Sequence, residues 1–334
     1  MSTPTPPGSG TEAPAVTVFI PTWNGGHELH ETLEAVRAQE LDRPFEIFVI
    51  DSSSNDGSWQ LLDRLDVRRQ RIAQRDFDHG ATRNQAIREA RGEIVALLSQ
   101  DATPADAHWL QPLVDAFDDP RVAGAYSRQL PRADASPLIK SRLEAWAASR
   151  TERAEQHIAS AEALEALPPL ERMQRSIFDN VSSAVRRSVA LELPFERRRF
   201  GEDIAWGRRA ILAGHTLVFE PRSRVVHSHN RSSLYALRRT YLDHQNLHGL
   251  FDIRTVPDGA TLRHSVRWEL RTGLDAVRED PRLGPVGRLA WSARALPHAV
   301  AASLGQYLGG RSADALARRA RAARWIDAWM ARGV

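Results

Sequence analysis

Acidic residues stand at three places in this sequence where a carboxylate can meet a ligand. Asp51 ends the apolar run Phe45–Ile50 (FEIFVI), and Asp101 follows Glu93–Leu98 (EIVALL) after Ser99 and Gln100. Glu202 and Asp203 open a helical stretch at Gly201–Ala213. A carboxylate at the end of a buried strand leaves the core, and its oxygens suit Mg²⁺ or Mn²⁺ shared with substrate phosphates. Aspartate after a strand is equally ordinary turn chemistry, and an acidic pair is equally at home in the first turn of a helix. At a helix start Asp203 is expected to have its pKa lowered and to stay ionised, ready to take a proton from a hydroxyl. His227 and His229 lie two apart on a strand and point to opposite faces, so they are not expected to bind one ion together unless the strand has ended. His244 and His248, four apart on a predicted helix, make a further pair with no third ligand and no HExxH motif.

Several other chemistries are excluded. The 334 residues contain no cysteine, which removes disulfides, iron–sulfur clusters, thiolate zinc sites and a cysteine nucleophile. The loop Pro21–Thr22–Trp23–Asn24–Gly25–Gly26 after the first strand is not GxGxxG, and the sole lysine, Lys140, lies in no glycine-rich loop. Dinucleotide and P-loop sites therefore drop out. The serines around Ser53 lack the G-x-S-x-G elbow of a hydrolase. With 45 basic and 42 acidic residues the net charge is +3, which gives no argument for nucleic acid as a partner. Nearly all the base is arginine, whose planar fork suits phosphate.

The elements that must position these residues alternate. Val16–Ile20, Phe45–Ile50 and Glu93–Leu98 read as buried strands, with weaker ones at Arg69–Gln74, Val122–Ser127, Val181–Arg187, Thr216–Glu220 and Val225–His227. Helical spacing fills Glu28–Gln39, the stretch carrying Trp59, Leu62 and Leu65, Ala81–Ala90, and Trp109–Phe117. Such alternation predicts an α/β fold with a mostly parallel sheet and a ligand beyond the carboxyl ends of its strands. Residues 1–14 are Pro/Gly/Thr-rich without a secretory pattern and are expected to form a disordered tail. Residues 15–230 are expected to form the main domain, with a helical insertion at about 137–175, and 231–334 a helical extension. No apolar run reaches the roughly 18 residues of a membrane span, since Leu289–Leu308 is broken by Arg294, Pro297 and His298. A cytoplasmic protein is expected. The basic amphipathic stretch Ser312–Met330 suits an anionic membrane surface, or packs with Trp268, Trp291, Trp325 and Trp329 on the core or a second copy of the chain.

The segments VTVFIPTWNGGHELHETLEAVRAQ (16–39), EIFVIDSSSNDGS (46–58) and GEIVALLSQDATP (92–104), taken in order, resemble the family-2 glycosyltransferases of GT-A fold, and among them the bacterial rhamnosyltransferase-like branch. The resemblance covers about Val16 to Asn230. It implies that Pro21, Thr22, Asn24 and Glu28 cradle the nucleotide, that Asp51 reads the pyrimidine, and that Ser53 and Asp56 belong to the same loop. It implies that His79, Gly80, Arg83 and Asn84, an HGxxRN segment, lie against the nucleotide and diphosphate. Asp101, with Gln100 beside it, matches the metal-binding end of the DxD-type motif, and His227 the late histidine by the diphosphate and metal. Glu202 and Asp203 match the acceptor-side pair, Asp203 as general base. Ser99 replaces the first DxD acid and Ser52 a second aspartate, both in the manner of the rhamnosyltransferase branch. The resemblance thus implies an inverting transferase with a divalent cation (Mg²⁺ or Mn²⁺). Its donor would be a dTDP- or UDP-sugar, dTDP-L-rhamnose first, and its acceptor a cell-surface glycan or lipid-linked hydroxyl. Arg238, Arg239 and Tyr241 are candidates for acceptor or diphosphate contact. A nucleotidyltransferase would want basic residues in the first loop, and a basic membrane- or nucleic-acid-binding protein would want base unopposed by acid.

Overall fold

The structure is a computed structural model that describes residues 13–65, 67–317 and 321–332. The expected tail at 1–14 lies almost wholly outside the described residues. In chain order the elements are β1 (Val16–Thr22), α1 (Gly26–Arg37), β2 (Phe45–Asp51), α2 (Ser58–Arg64), β3 (Arg68–Arg71), α3 (His79–Glu89), β4 (Ile94–Leu98), β5 (Thr103–Pro104), α4 (Leu110–Asp115) and β6 (Val122–Leu130). After them come α5 (Pro137–Glu144), β7 (Ala154–Gln156), α6 (Ala161–Glu165), α7 (Pro169–Ser176), β8 (Ser182–Arg186), α8 (Arg187–Glu192), α9 (Glu202–Leu212) and β9 (Thr216–Val226). Four helices close the described chain: α10 (Ser233–Phe251), α11 (Gly259–Glu279), α12 (Pro285–Ala317) and α13 (Arg321–Met330).

Two compact units result. The first takes the described residues of 1–130, 146–166 and 174–227, and the second those of 131–145, 167–173 and 228–334. The first is the α/β unit. Its sheet runs β3-β2-β1-β4-β8-β6-β9-β5, with β7 on β9. Pairing is parallel across β3-β2-β1-β4 and between β6 and β9, while β8 enters antiparallel to both β4 and β6. The sheet is therefore mixed, and its parallel half is the one that ends at Thr22, Asp51 and the Ser99–Asp101 segment. Thr22 and Asp51 are register partners.

Alternation along β1 explains the core. Val16, Val18 and Ile20 pack with Leu29, Leu33 and Val36 of α1 and with Trp109 and Leu113, while Phe19 meets the Phe48 ring at 6.0 Å. A second aromatic group, Tyr126, Phe178, Phe195, Trp206 and Phe219, packs ring on ring. These buried faces fix the strand ends because a one-residue slip would move every side chain to the opposite packed face of the sheet. The two strands expected at 216–220 and 225–227 are one strand, β9, whose register shifts opposite Ser127–Arg128.

The second unit is helical. Gly305 and Gly309 let α12 lie directly on the α10 backbone, since a Cβ there would stand 2.7 Å from the Leu237 carbonyl oxygen and 2.3 Å from that of Tyr241. Leu138, Val277 and Ala295 join α5, α11 and α12 in a small core beside Trp291. Tyr241 is buried and its hydroxyl donates to Asp327 at 3.0 Å, so it holds α10 to α13. Trp329 lies under the Arg238 guanidinium at 4.5 Å. Among the described residues no helix is long and apolar enough to cross a membrane.

Candidate active site

The ends of β1, β2 and β4 are laced together by side chains. Thr22 Oγ1 donates to Gln100 Oε1 at 2.6 Å, and the Trp23 N–H donates to the same oxygen at 2.9 Å. Gln100 thus binds the first loop to the segment carrying Asp101. Asn24 holds a left-handed backbone (φ 47°), its Oδ1 accepts from the Asn55 N–H at 2.9 Å, and its own N–H donates to Ser54 Oγ. Asp56 accepts from the N–H groups of Gly26 (3.0 Å) and Ser58 (3.0 Å). Burial works against the Asp56 charge, but these donors outweigh it and hold its pKa below the usual value. Pro21 lies within β1 and Glu28 in the first turn of α1.

Asp51 is wholly buried. Its carboxylate accepts from the Ser54 N–H (3.1 Å) and from Arg71 Nε (2.9 Å). Arg71 in turn stacks on Trp59 at 4.5 Å and donates to the Ser54 carbonyl. Sequence reasoning missed Arg71, because only the β2–β3 register, which sets Asp51 opposite Arg71, reveals it. Ser53 sits at φ 62° and donates to the Ile72 carbonyl, while the neighbouring Ser52 Oγ is buried with no hydrogen-bond partner.

The HGxxRN segment forms the start of α3, capped by Asp78. The His79 ring meets Phe77 edge-on at 4.8 Å. Gly80 is required by packing, for a Cβ there would stand 2.2 Å from the Glu196 carbonyl oxygen. Asn84 uses its whole amide on Phe195, donating to its carbonyl (2.7 Å) and accepting from its N–H (2.8 Å). Arg83 is buried and donates from Nη1 to Glu202 Oε1 at 2.5 Å, across 119 residues of chain. The segment therefore anchors the loop that leads into α9.

At the start of α9 the two carboxylates differ. Burial opposes the charge of Glu202, yet the Arg83 guanidinium beside it holds its pKa below the usual range. Asp203 accepts from the Asn180 N–H at 3.3 Å and from the Ile204 N–H at 2.8 Å. Its pKa is pushed up to about 7, first by burial and then by the negative charges of Glu202 and Asp179. This is the reverse of the lowering expected from its place at a helix start. A helix terminus contributes only a fraction of a charge, and two full like charges in a desolvated site outweigh it. Residue 203 keeps some solvent access, so the high pKa reflects dense surroundings rather than complete enclosure.

The remaining group gathers around His227. The end of β6 pairs with the end of β9, and the His227 N–H donates to the Leu130 carbonyl at 2.9 Å. His227 Nε2 then stands 3.7 Å from Asp101 Oδ1, and its Nδ1 lies 3.1 Å from Gln129 Oε1. A carboxylate oxygen and an imidazole nitrogen at this spacing fit a divalent ion of the Mg²⁺/Mn²⁺ type. β9 ends at Val226, so the strand alternation expected to separate His227 from His229 does not extend to them. His244 Nδ1 is taken by the Thr240 carbonyl of its own helix, and His248 faces Asp252 at 3.5 Å, so that pair serves α10. Gln129 and Asp179 carried no sequence signal beyond being polar residues at strand ends.

Comparison with known proteins identifies the family. The family model described as glycosyl transferase family 2 matches residues 17–182. The O-antigen chain rhamnosyltransferase RfbN of Salmonella typhimurium is 33% identical over 221 residues, 64% of this chain and 67% of that protein. The O-antigen chain rhamnosyltransferase WbaN of Salmonella anatum is 30% identical over 233 residues, 68% of this chain and 70% of that protein. Among solved structures, a mannosyltransferase of Pyrobaculum calidifontis in complex with GDP-Man and Mn²⁺ superposes with a TM-score of 0.47 at 18% identity, covering 96% of this chain and 85% of the other. The extent and identity of the two Salmonella matches make this chain a glycosyltransferase of family 2 and place it beside rhamnosyltransferases.

Proposed function

We propose that the chain is an inverting rhamnosyltransferase that moves L-rhamnose from dTDP-rhamnose to a hydroxyl of a cell-surface glycan or lipid-linked acceptor. The observation that carries this reading is its likeness to two O-antigen chain rhamnosyltransferases over two thirds of their length. The nucleotide is assigned to the laced strand ends: Pro21, Thr22, Asn24 and Glu28, Asp51, Ser53 and Asp56, His79 and Gln100. The unpartnered Ser52 Oγ supports a ligand there.

A divalent cation assigned to Asp101 and His227 would neutralise the leaving diphosphate. Asp203 takes the proton of the acceptor hydroxyl as that oxygen attacks the anomeric carbon. One attack from the face opposite the leaving group inverts the configuration. Glu202 raises the proton affinity of Asp203 and is itself held by Arg83. Gly80 and Asn84 keep the loop before α9 in place. We also assign the exposed apolar stripe of α12 to contact with an anionic lipid surface.

Thermal unfolding with dTDP, UDP, GDP and CMP, each with and without Mn²⁺, tests the donor. A ligand of the folded state alone at about 100 times its dissociation constant adds roughly 2.7 kcal/mol. A dTDP-selective rise in Tm, enlarged by Mn²⁺ and lost in Asp101→Ala, is expected. No rise with any nucleotide would overturn the donor assignment.

A further inference from the structure

Behind His227 lies a chain of hydrogen bonds whose direction is forced. Asp179 Oδ2 accepts from Gln129 Nε2 at 2.6 Å and from Trp146 Nε1 at 3.1 Å, and its Oδ1 accepts from the Val181 N–H at 3.0 Å. Three N–H donors converge on one buried carboxylate, which has only acceptors to offer. The amide orientation of Gln129 is thereby fixed: its NH₂ must face Asp179 and its oxygen must face His227. That oxygen can only accept, so His227 Nδ1, 3.1 Å away, must carry a hydrogen. A neutral imidazole protonated at Nδ1 has a lone pair at Nε2, and Nε2 is the atom beside Asp101.

We infer that Gln129 and Asp179 are positioning residues that hold His227 in the Nδ1–H tautomer, so that Nε2 faces Asp101 as a ready metal ligand. Neither residue is assigned as a ligand of the ion. Gln129 acts through the His227 ring, and Asp179 acts through the amide of Gln129. Partners of this kind fix the ring plane as well as the tautomer, and their loss typically weakens metal binding about 10- to 100-fold. This inference rests on the metal assignment made above.

The test uses the full-length protein, Mn²⁺ alone as ligand, and two readouts. Long-range ¹⁵N–¹H correlation spectra of ¹⁵N-histidine-labelled metal-free protein, with His227→Ala to assign the signal, report the tautomer. Electron paramagnetic resonance titration reports the Mn²⁺ affinity. Wild type should show a single Nδ1–H tautomer at His227. Gln129→Met, close in volume and without an acceptor at that point, should show mixed tautomers and bind Mn²⁺ about 10- to 100-fold more weakly, with an unchanged circular dichroism spectrum. Asp179→Leu should do the same by freeing the Gln129 amide to turn. An Nε2–H tautomer in wild type overturns the inference, and so does Gln129→Met binding Mn²⁺ as wild type does while His227→Ala loses it. If His227→Ala itself keeps full Mn²⁺ affinity, the metal assignment fails and the inference falls with it, leaving the tautomer result as a separate fact.

Discussion

The two carboxylates at the start of α9 carry opposite pKa shifts, and that contrast makes a residue-scale prediction. Asp203 has a pKa of about 7 in the folded protein, well above the usual carboxylate range. As the general base it must be ionised, so kcat/KM should rise with pH through a midpoint near 7. Glu202→Gln removes a like charge from beside Asp203 and should move that midpoint to lower pH; a midpoint that stays put or rises would count against the pairing. Asp203→Asn should abolish turnover while leaving Mn²⁺ binding intact. Stability follows with a definite sign. The native state holds a proton on Asp203 that the unfolded chain has released, so this contribution is present below about pH 4 and is lost as pH rises through about 7. Asp203→Asn cannot ionise, so its Tm relative to wild type should climb between pH 5 and pH 8, and a flat difference would refute the shifted pKa.

At the scale of elements, the site depends on how closely α3 approaches the loop before α9. Gly80 leaves room for the Glu196 carbonyl, and Asn84, about one turn further along α3, pairs with the Phe195 backbone. A Cβ at position 80 would stand 2.2 Å from backbone oxygen, which cannot swing aside as a side-chain tip does. Gly80→Ala should therefore cost about 1–3 kcal/mol in chemical denaturation, and it should lower kcat through displacement of Glu202 and Asp203. Full activity with wild-type stability would show that the loop yields freely. Elements of this kind were only partly legible in the sequence. The strands β1, β2 and β4 announced themselves because each is an apolar run ending at a polar cluster, and the burial of Val16, Val49 and Ala96 agrees. The ends Thr22, Asp51 and Asp101 followed from them. What remained hidden was long-range: the antiparallel entry of β8, the register that sets Asp51 beside Arg71, and the β6–β9 pairing that delivers Gln129 to His227. Period-2 and period-3.6 patterns report which face of an element is buried, and they say nothing of which strand lies alongside. The pKa of Asp203 was misjudged for the same reason, since Asp179 is 24 positions away in sequence and acts only through the fold.

For the whole molecule the open question is what the helical second unit meets. The amphipathic stretch read from the sequence at 312–330 is engaged on one side of α13, where Asp327 and Met330 are buried and Trp329 packs beneath Arg238, while Trp325 and Ile326 stay exposed. A longer exposed apolar stripe lies on α12, where Val286 (83% exposed), Leu289 (74%), Leu296 (51%) and Val300 (42%) recur at helical spacing along one side. From Pro285 through Ser312 the sequence contains Arg288, Arg294 and Arg311 and no acid. Those charges decide the occupant. A second copy laid along the stripe would oppose arginine to arginine with no carboxylate between Pro285 and Ser312 to answer, whereas anionic lipid phosphates answer Arg288 and Arg294. The protein is expected to float with vesicles rich in phosphatidylglycerol, weakly in high salt, and to leave phosphatidylcholine vesicles unbound. Each leucine moved from water into the lipid boundary contributes about 1.5 kcal/mol or more, so Leu289→Ser with Leu296→Ser should weaken vesicle binding by about two orders of magnitude at an unchanged Tm. If the wild type ignores vesicles but sediments as a dimer that the double variant dissociates, the stripe belongs to a second copy and the lipid assignment is wrong.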